Sequence, residues 1–150
     1  MVNTKLMNIR NATYHDAPSI KLLLEALGYK TSTILLISQL EKILKGDDHE
    51  VFVYEVNKDV LGFISVDYVP QLGCGGELAI ISYLSVDETS QGHGVGRALE
   101  EYVIAKALER KCDRVQVHCS DHRKPPHQFY MQQGYEEYPK YFTKRLIYGE

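Results

Sequence analysis

The chain has few cysteines, no long apolar run, no large excess of either charge and no complete nucleotide-binding fingerprint, and each shortage removes a class of function. Cys74, Cys112 and Cys119 are odd in number and show neither a C-x-x-C nor a His/Cys ligand spacing. Structural disulfides and a metal site are therefore not expected, and free thiols suit a reducing, cytoplasmic setting. The opening Met1-Val2-Asn3-Thr4-Lys5 leads into mixed polar and apolar sequence without a signal-like core, and no segment approaches the length that crosses a bilayer. No membrane partner is expected. A formal net charge of -3 supplies no basic field, so nucleic acid is not expected either, despite local clusters at Arg110, Lys111, Arg114 and at Arg123, Lys124.

What is present is ordinary globular material: 150 residues, 44% hydrophobic and 25% charged, enough for one sizeable core. No repeat, low-complexity tract or linker divides the chain, and residues 1–150 read as a single domain.

Read in order, the chain opens with a strand around Met7 to Arg10 and then a helix with Asp16 as N-cap and Pro18 in its first turn, stopping at Gly28. A second helix follows Thr31-Ser32-Thr33 and runs to Gly46. His49 to Val56 and Val60 to Val69 form a hairpin across Asn57-Lys58-Asp59, and Glu77 to Val86 is the next strand. After a glycine turn come a helix to about Lys111, a strand from Arg114 to Cys119, a helix through His127 to Gln133 capped by Gly134, and an alternating strand from Tyr141 to Tyr148. A further small strand is expected at Tyr135 to Tyr138.

The most informative stretch joins the strand ending at Val86 to the helix beginning near Arg97, through Gln91-Gly92-His93-Gly94-Val95-Gly96. Glycines let the backbone approach a ligand closely, and a helix start directs unpaired N–H groups and a positive dipole end at it, an arrangement suited to phosphate or pyrophosphate. Two common nucleotide fingerprints fail. G-x-G-x-x-G needs a glycine where Arg97 or Leu99 stands, and Gly-Lys-Ser/Thr is absent.

Gln91, Gly94 and Gly96 instead resemble the Q/R-x-x-G-x-G/A signature of the GCN5-related N-acetyltransferases. Phe129-Tyr130-Met131-Gln132-Gln133-Gly134-Tyr135 resembles that family's F-Y-x-x-x-G-F/Y block, and the element order is similar along nearly the whole chain. The resemblance implies an α/β fold with a mixed, mostly antiparallel sheet of six to seven strands, about four helices and a parallel strand pair that splays at the cofactor site. It implies acetyl-coenzyme A as cosubstrate: pantetheine along the main chain of Leu84 and Val86, and pyrophosphate on the amides of Gln91, Gly92, His93, Gly94, Val95, Gly96 and Arg97. It raises a homodimer, since many relatives pair through their C-terminal strands.

In acetyl transfer an attacking amine must lose a proton and a leaving thiolate must gain one. Tyr130 matches the family's proton donor to sulfur, and a phenol stays protonated at neutral pH. Many relatives carry a glutamate base where Ser82 stands here, and a lone serine is no base. Glu77, acting through water, and His118 are the substitutes on offer, each with a structural role as the alternative. Arg123 precedes Tyr130 in a block resembling R-x-x-A-H-x-F-Y, with Pro126 replacing the alanine, and is expected either near a coenzyme phosphate or as a solvated surface arginine. By analogy with the family, the resemblance places Tyr29, Tyr68, Tyr83 and Tyr141 along the acceptor, with core or surface packing as the alternative. The leading expectation is an N-acetyltransferase acting on a primary amine of a small molecule, peptide or protein. The alternative is a catalytically weak or inactive acyl-coenzyme-A-binding regulatory module.

Overall fold

Three consecutive runs, largely apolar on both faces, build the centre of one sheet. The computed structural model describes residues 8–118, 124–137 and 142–147, without side chains at 124–127. Strand β2 (His49–Val56) turns into β3 (Asp59–Val69) at Asn57 and Lys58, whose φ angles of 50° and 70° are the left-handed pair that a two-residue hairpin requires. β4 (Leu78–Val86) continues antiparallel to β3, and β1 (Ile9–Asn11) lies antiparallel on the far side of β2. β5 (Arg114–Val117) runs parallel to β4, completing the order β1-β2-β3-β4-β5.

Side chains alternate between the two faces, so each strand feeds two cores. On one face Phe52, Ile64, Val66 and Ile81 pack with Val95, Leu99 and Val103 of helix α3 (Val95–Glu109). On the other, Val51, Val53 and Phe63 meet α1 (Ala17–Ala26) and α2 (Thr33–Lys45) through Ile20, Leu23 and Leu40.

Helix ends follow the sequence signals, with one change of role. Gly28, at φ 98°, stands just past the end of α1, and the Ser32 hydroxyl caps α2 by accepting from the Leu35 amide at 3.1 Å. Asp16 stands at the start of α1 but makes no cap bond to it. Its carboxylate turns back to accept from the Thr13 amide and from both terminal nitrogens of Arg10, all at 2.8 Å. Burial opposes ionisation of Asp16, yet the bonds from Arg10 and Thr13 outweigh it and hold the carboxyl below its usual range.

The chain divides into two compact units, Met1–His118 and Cys119–Glu150. The second contains α4 (Lys124–Gln132), followed by Gly134 at φ 90°. Among the described residues the strands number five, not six to seven. Residues 142–147 are exposed and form no strand, and neither do 135–137; an alternating pattern becomes a strand only where a neighbour pairs its backbone. Tyr138, Tyr141 and Tyr148 lie outside the described residues. Among those described, no helix is long and apolar enough to cross a membrane, and no group of three or more His, Cys, Asp or Glu side chains is placed to hold a metal.

Candidate functional site

β4 is flanked on both sides only along its first part. Leu78 to Ile81 pair with Arg114 to Val117 of β5, whereas Ser82 to Val86 continue without a β5 partner among the described residues. The register with β3 slips at the same place: Val66 faces Ile81 but Ser65 faces Tyr83, leaving Ser82 as an extra, bulged residue. Among the described residues the parallel pairing therefore ends just before Ser82, and Leu84 and Val86 stand on the stretch beyond it. Open main-chain groups of this kind receive an extended ligand as an added strand.

That stretch runs straight into the glycine turn. Asp87 accepts from the amide and hydroxyl of Thr89, and the Gln91 side chain donates to the Val86 carbonyl at 3.2 Å, so Gln91 braces the turn. Gly92 and Gly94 adopt φ 82° and 84°, and the first helical bond of α3 runs from the Ala98 amide to the Gly94 carbonyl at 3.0 Å. No side chain caps α3, which leaves the amides of Val95, Gly96 and Arg97 at its open end. Gln91, Gly92, His93 and Arg97 are exposed, Gly94 and Gly96 partly so, and only Val95 is buried in the core; Arg97 pairs with Glu101 at 3.0 Å. The sequence-predicted coenzyme residues from Leu84 to Arg97 are thus contiguous.

On the α1/α2 face a second group gathers beside the opening. The Ser85 hydroxyl donates to the Leu23 carbonyl at 2.9 Å, tying β4 to the last turn of α1. Tyr29, from the elbow after α1, meets Tyr83 edge-on at 5.3 Å. The Ser82 hydroxyl donates to Asp67 Oδ2 at 2.5 Å, and His49 Nδ1 donates to Asp67 Oδ1 at 2.7 Å. Burial, with Tyr29 and Asp67 nearby, pushes the Tyr83 phenol up. Sequence reasoning passed over Asp67 and His49. The available signal was a carboxylate at an inward-facing position of β3, two residues beyond Ser65, opposite a serine where relatives carry the base.

Other expected site residues are placed elsewhere or differently. Glu77 precedes the paired part of β4, about 16 Å along the strand from Ser82 at ~3.3 Å per residue. Arg110 donates to both of its carboxylate oxygens, at 2.7 and 3.4 Å, and holds its pKa below the usual range. That placement suits a structural ion pair, since a carboxylate so engaged is a poor proton acceptor. Tyr68, expected to line the acceptor, points to the α3 face instead. It is buried beneath the Arg110 guanidinium at 4.0 Å, and its hydroxyl donates to Glu50 at 2.8 Å. Tyr68 follows Asp67 directly, and strand alternation sends the two to opposite faces. His118 is exposed just past β5.

In the second unit Tyr130 sits in α4, half-buried between Phe129 at 5.2 Å and Tyr135 at 5.5 Å. The Tyr135 amide donates to the Tyr130 carbonyl at 3.1 Å, so the glycine after the helix folds Tyr135 back on Tyr130. Arg123, Cys119 and Tyr141 lie outside the described residues.

Residues 7–135 match the sequence profile of the Acetyltransferase (GNAT) family. A transcriptional regulator from Bacillus halodurans C-125 superposes with a TM-score of 0.84 at 22% identity, over 92% of this chain and 98% of that one. Glucosamine-6-phosphate N-acetyltransferase from Arabidopsis thaliana gives 0.80 at 23% identity, over 93% and 97%. An aminoglycoside acetyltransferase from an uncultured soil metagenomic sample gives 0.78 at 23% identity, over 93% and 95%. At these identities the likeness concerns the fold. No curated protein sequence matches the chain.

Proposed function

This chain belongs to the acetyltransferase (GNAT) family, and on that premise we propose that it transfers an acetyl group from acetyl-coenzyme A directly to a primary amine of a small molecule, peptide or protein. The observation that supports the reading is the end of the described β4–β5 pairing just before Ser82, followed along the chain by an uncapped, glycine-lined helix start. An extended arm and a pyrophosphate need those two features in that order. Leu84 and Val86 are assigned to the pantetheine arm, and Gln91 through Arg97 to the pyrophosphate, where a positive helix end favours an anion. The coenzyme supplies the activated acyl carbon. Tyr130 is assigned the proton given to the leaving sulfur, and Arg123 a coenzyme phosphate, both on the motifs that carry the resemblance.

The competing reading, a regulatory module that binds acyl-coenzyme A without turnover, draws on Ser82 standing where relatives carry a glutamate base. Two measurements separate them. Thermal unfolding with acetyl-coenzyme A, coenzyme A, ATP and NAD is expected to show a rise with the coenzyme A forms only, lost in Gly94→Glu. Thiol release with a panel of amines is expected from an enzyme. Binding without release selects the regulatory module, and a response to ATP or NAD alone rejects both readings.

A further inference from the structure

We propose that Ser82, Asp67 and His49 form the proton-accepting line for the acceptor amine, with Ser82 the group that touches it; this rests on the acetyl-transfer reading above. The three side chains come from three adjacent strands and meet at the bulge where β4 leaves β5. Ser82 Oγ gives its single proton to Asp67 Oδ2 at 2.5 Å, which leaves its lone pairs for an incoming ammonium. His49 Nδ1 occupies the other oxygen of Asp67 at 2.7 Å and so keeps Oδ2 turned toward Ser82. Asp67 and His49 are positioning residues, because they act through Ser82.

The environment fits a cationic guest. Tyr83 and Tyr29 form an aromatic wall beside the line, suited to a cation with an organic body. Asp67 contributes the negative charge. The far end is open: His49 lines a cleft shared with Asn11, Asp47, Glu50 and Arg110, and its side chain is 44% exposed, which gives the line access to water.

Ser82 Oγ takes one proton from the ammonium while passing its own to Asp67 Oδ2, and the freed lone pair forms the N–C bond to the acetyl carbon. The C–S bond breaks with its electron pair on sulfur. The second proton leaving nitrogen matches the one that sulfur takes, and Asp67 returns the first to water. Amide and thiol are the products, with one proton released.

The test uses the full chain and measures thiol release with a polyamine, an aminoglycoside, free lysine and a lysine peptide. The best amine is then compared with a weakly basic fluorinated analogue, which is already neutral at the assay pH. Ser82→Ala and Asp67→Asn are expected to lower kcat on the basic amine by about a hundredfold, the size of general base catalysis, with the KM for acetyl-coenzyme A little changed. On the weakly basic amine the loss is expected to shrink to a few fold. Ser82→Thr, which keeps the hydroxyl, should restore most of the rate, and His49→Gln should cost about tenfold, less than losing the acceptor. Equal losses on both amines, or rates near the parent's in Asp67→Asn, overturn the line and leave acetyl transfer standing. A parent that neither binds acetyl-coenzyme A nor releases thiol rejects the transferase reading and the line together. Should Asp67→Asn fail to fold, Ser82→Ala at the partly exposed bulge decides the matter.

Discussion

Gly62 of β3 lies beneath Val95, the first residue of α3: a Cβ on Gly62 would stand 3.2 Å from Val95 Cγ1, 3.1 Å from the Ser85 carbonyl oxygen and 3.3 Å from Leu99 Cδ1. The open end of α3 approaches the sheet this closely because no side chain intervenes. Gly62→Ala is expected to cost about 1–3 kcal/mol through overpacking and to weaken acetyl-coenzyme A binding more than acceptor binding. Urea unfolding and a coenzyme titration check both parts; unchanged affinity would separate the helix position from the ligand.

Arg10 and Asp16 make the best-formed ion pair at the start of the chain, with two 2.8 Å bonds onto a carboxylate that is 5% exposed. Asp16→Asn should cost about 2–3 kcal/mol, the range for charge-assisted bonds with one partly exposed partner. The pH dependence has a definite sign. Because the folded pKa of Asp16 is depressed, its contribution is present above the ordinary aspartate value of about 3.9 and is lost as pH falls through the lower folded value. Denaturation midpoints taken between neutral pH and about pH 3 should fall at the acid end, and less so in Asp16→Asn.

Glu77→Gln distinguishes an ion pair from a base. Loss of the bidentate partner of Arg110 should lower the unfolding midpoint while kcat stays within about twofold, far from the ~10²-fold loss expected of a missing base. Steady-state rates beside a thermal melt are sufficient. A hundredfold fall in kcat with intact folding would return Glu77 to the chemistry.

Tyr130→Phe removes one hydroxyl and keeps the ring packed against Phe129 and Tyr135. With the phenol as proton donor, kcat should fall about 10²-fold while the KM for acetyl-coenzyme A holds. An unchanged kcat would leave the ring a packing role only.

Local chemistry was legible in the sequence wherever a single residue type decides the backbone. Gly28 and Gly46 stop their helices, Asn57 and Lys58 make the hairpin, and the turn from Gly92 to Gly94 takes the left-handed angles that glycine permits. What escaped reading depends on which partner claims a side chain, a neighbour one turn away or a residue on another strand. Asp16 looks like a cap until Arg10 and Thr13 claim its carboxylate. Tyr68 looks available until register sends it under Arg110, and Asp67 is unremarkable until it meets His49 and Ser82, 18 and 15 residues away. A bulge such as that at Ser82 shifts which face each later residue takes, and nothing local in Ile81-Ser82-Tyr83 announces it.

The bond from Ser85 to the Leu23 carbonyl spans 62 residues, and that separation also orders events during synthesis. At about 5–20 residues per second, the ribosome needs several seconds after making α1 before Ser85 exists. Until then the last turn of α1 has an unanswered carbonyl, and the elbow bearing Tyr29 has no Tyr83 to rest on. The acceptor wall is therefore finished only once β4 is made, so a nascent chain halted before Ser85 would have no place for an amine.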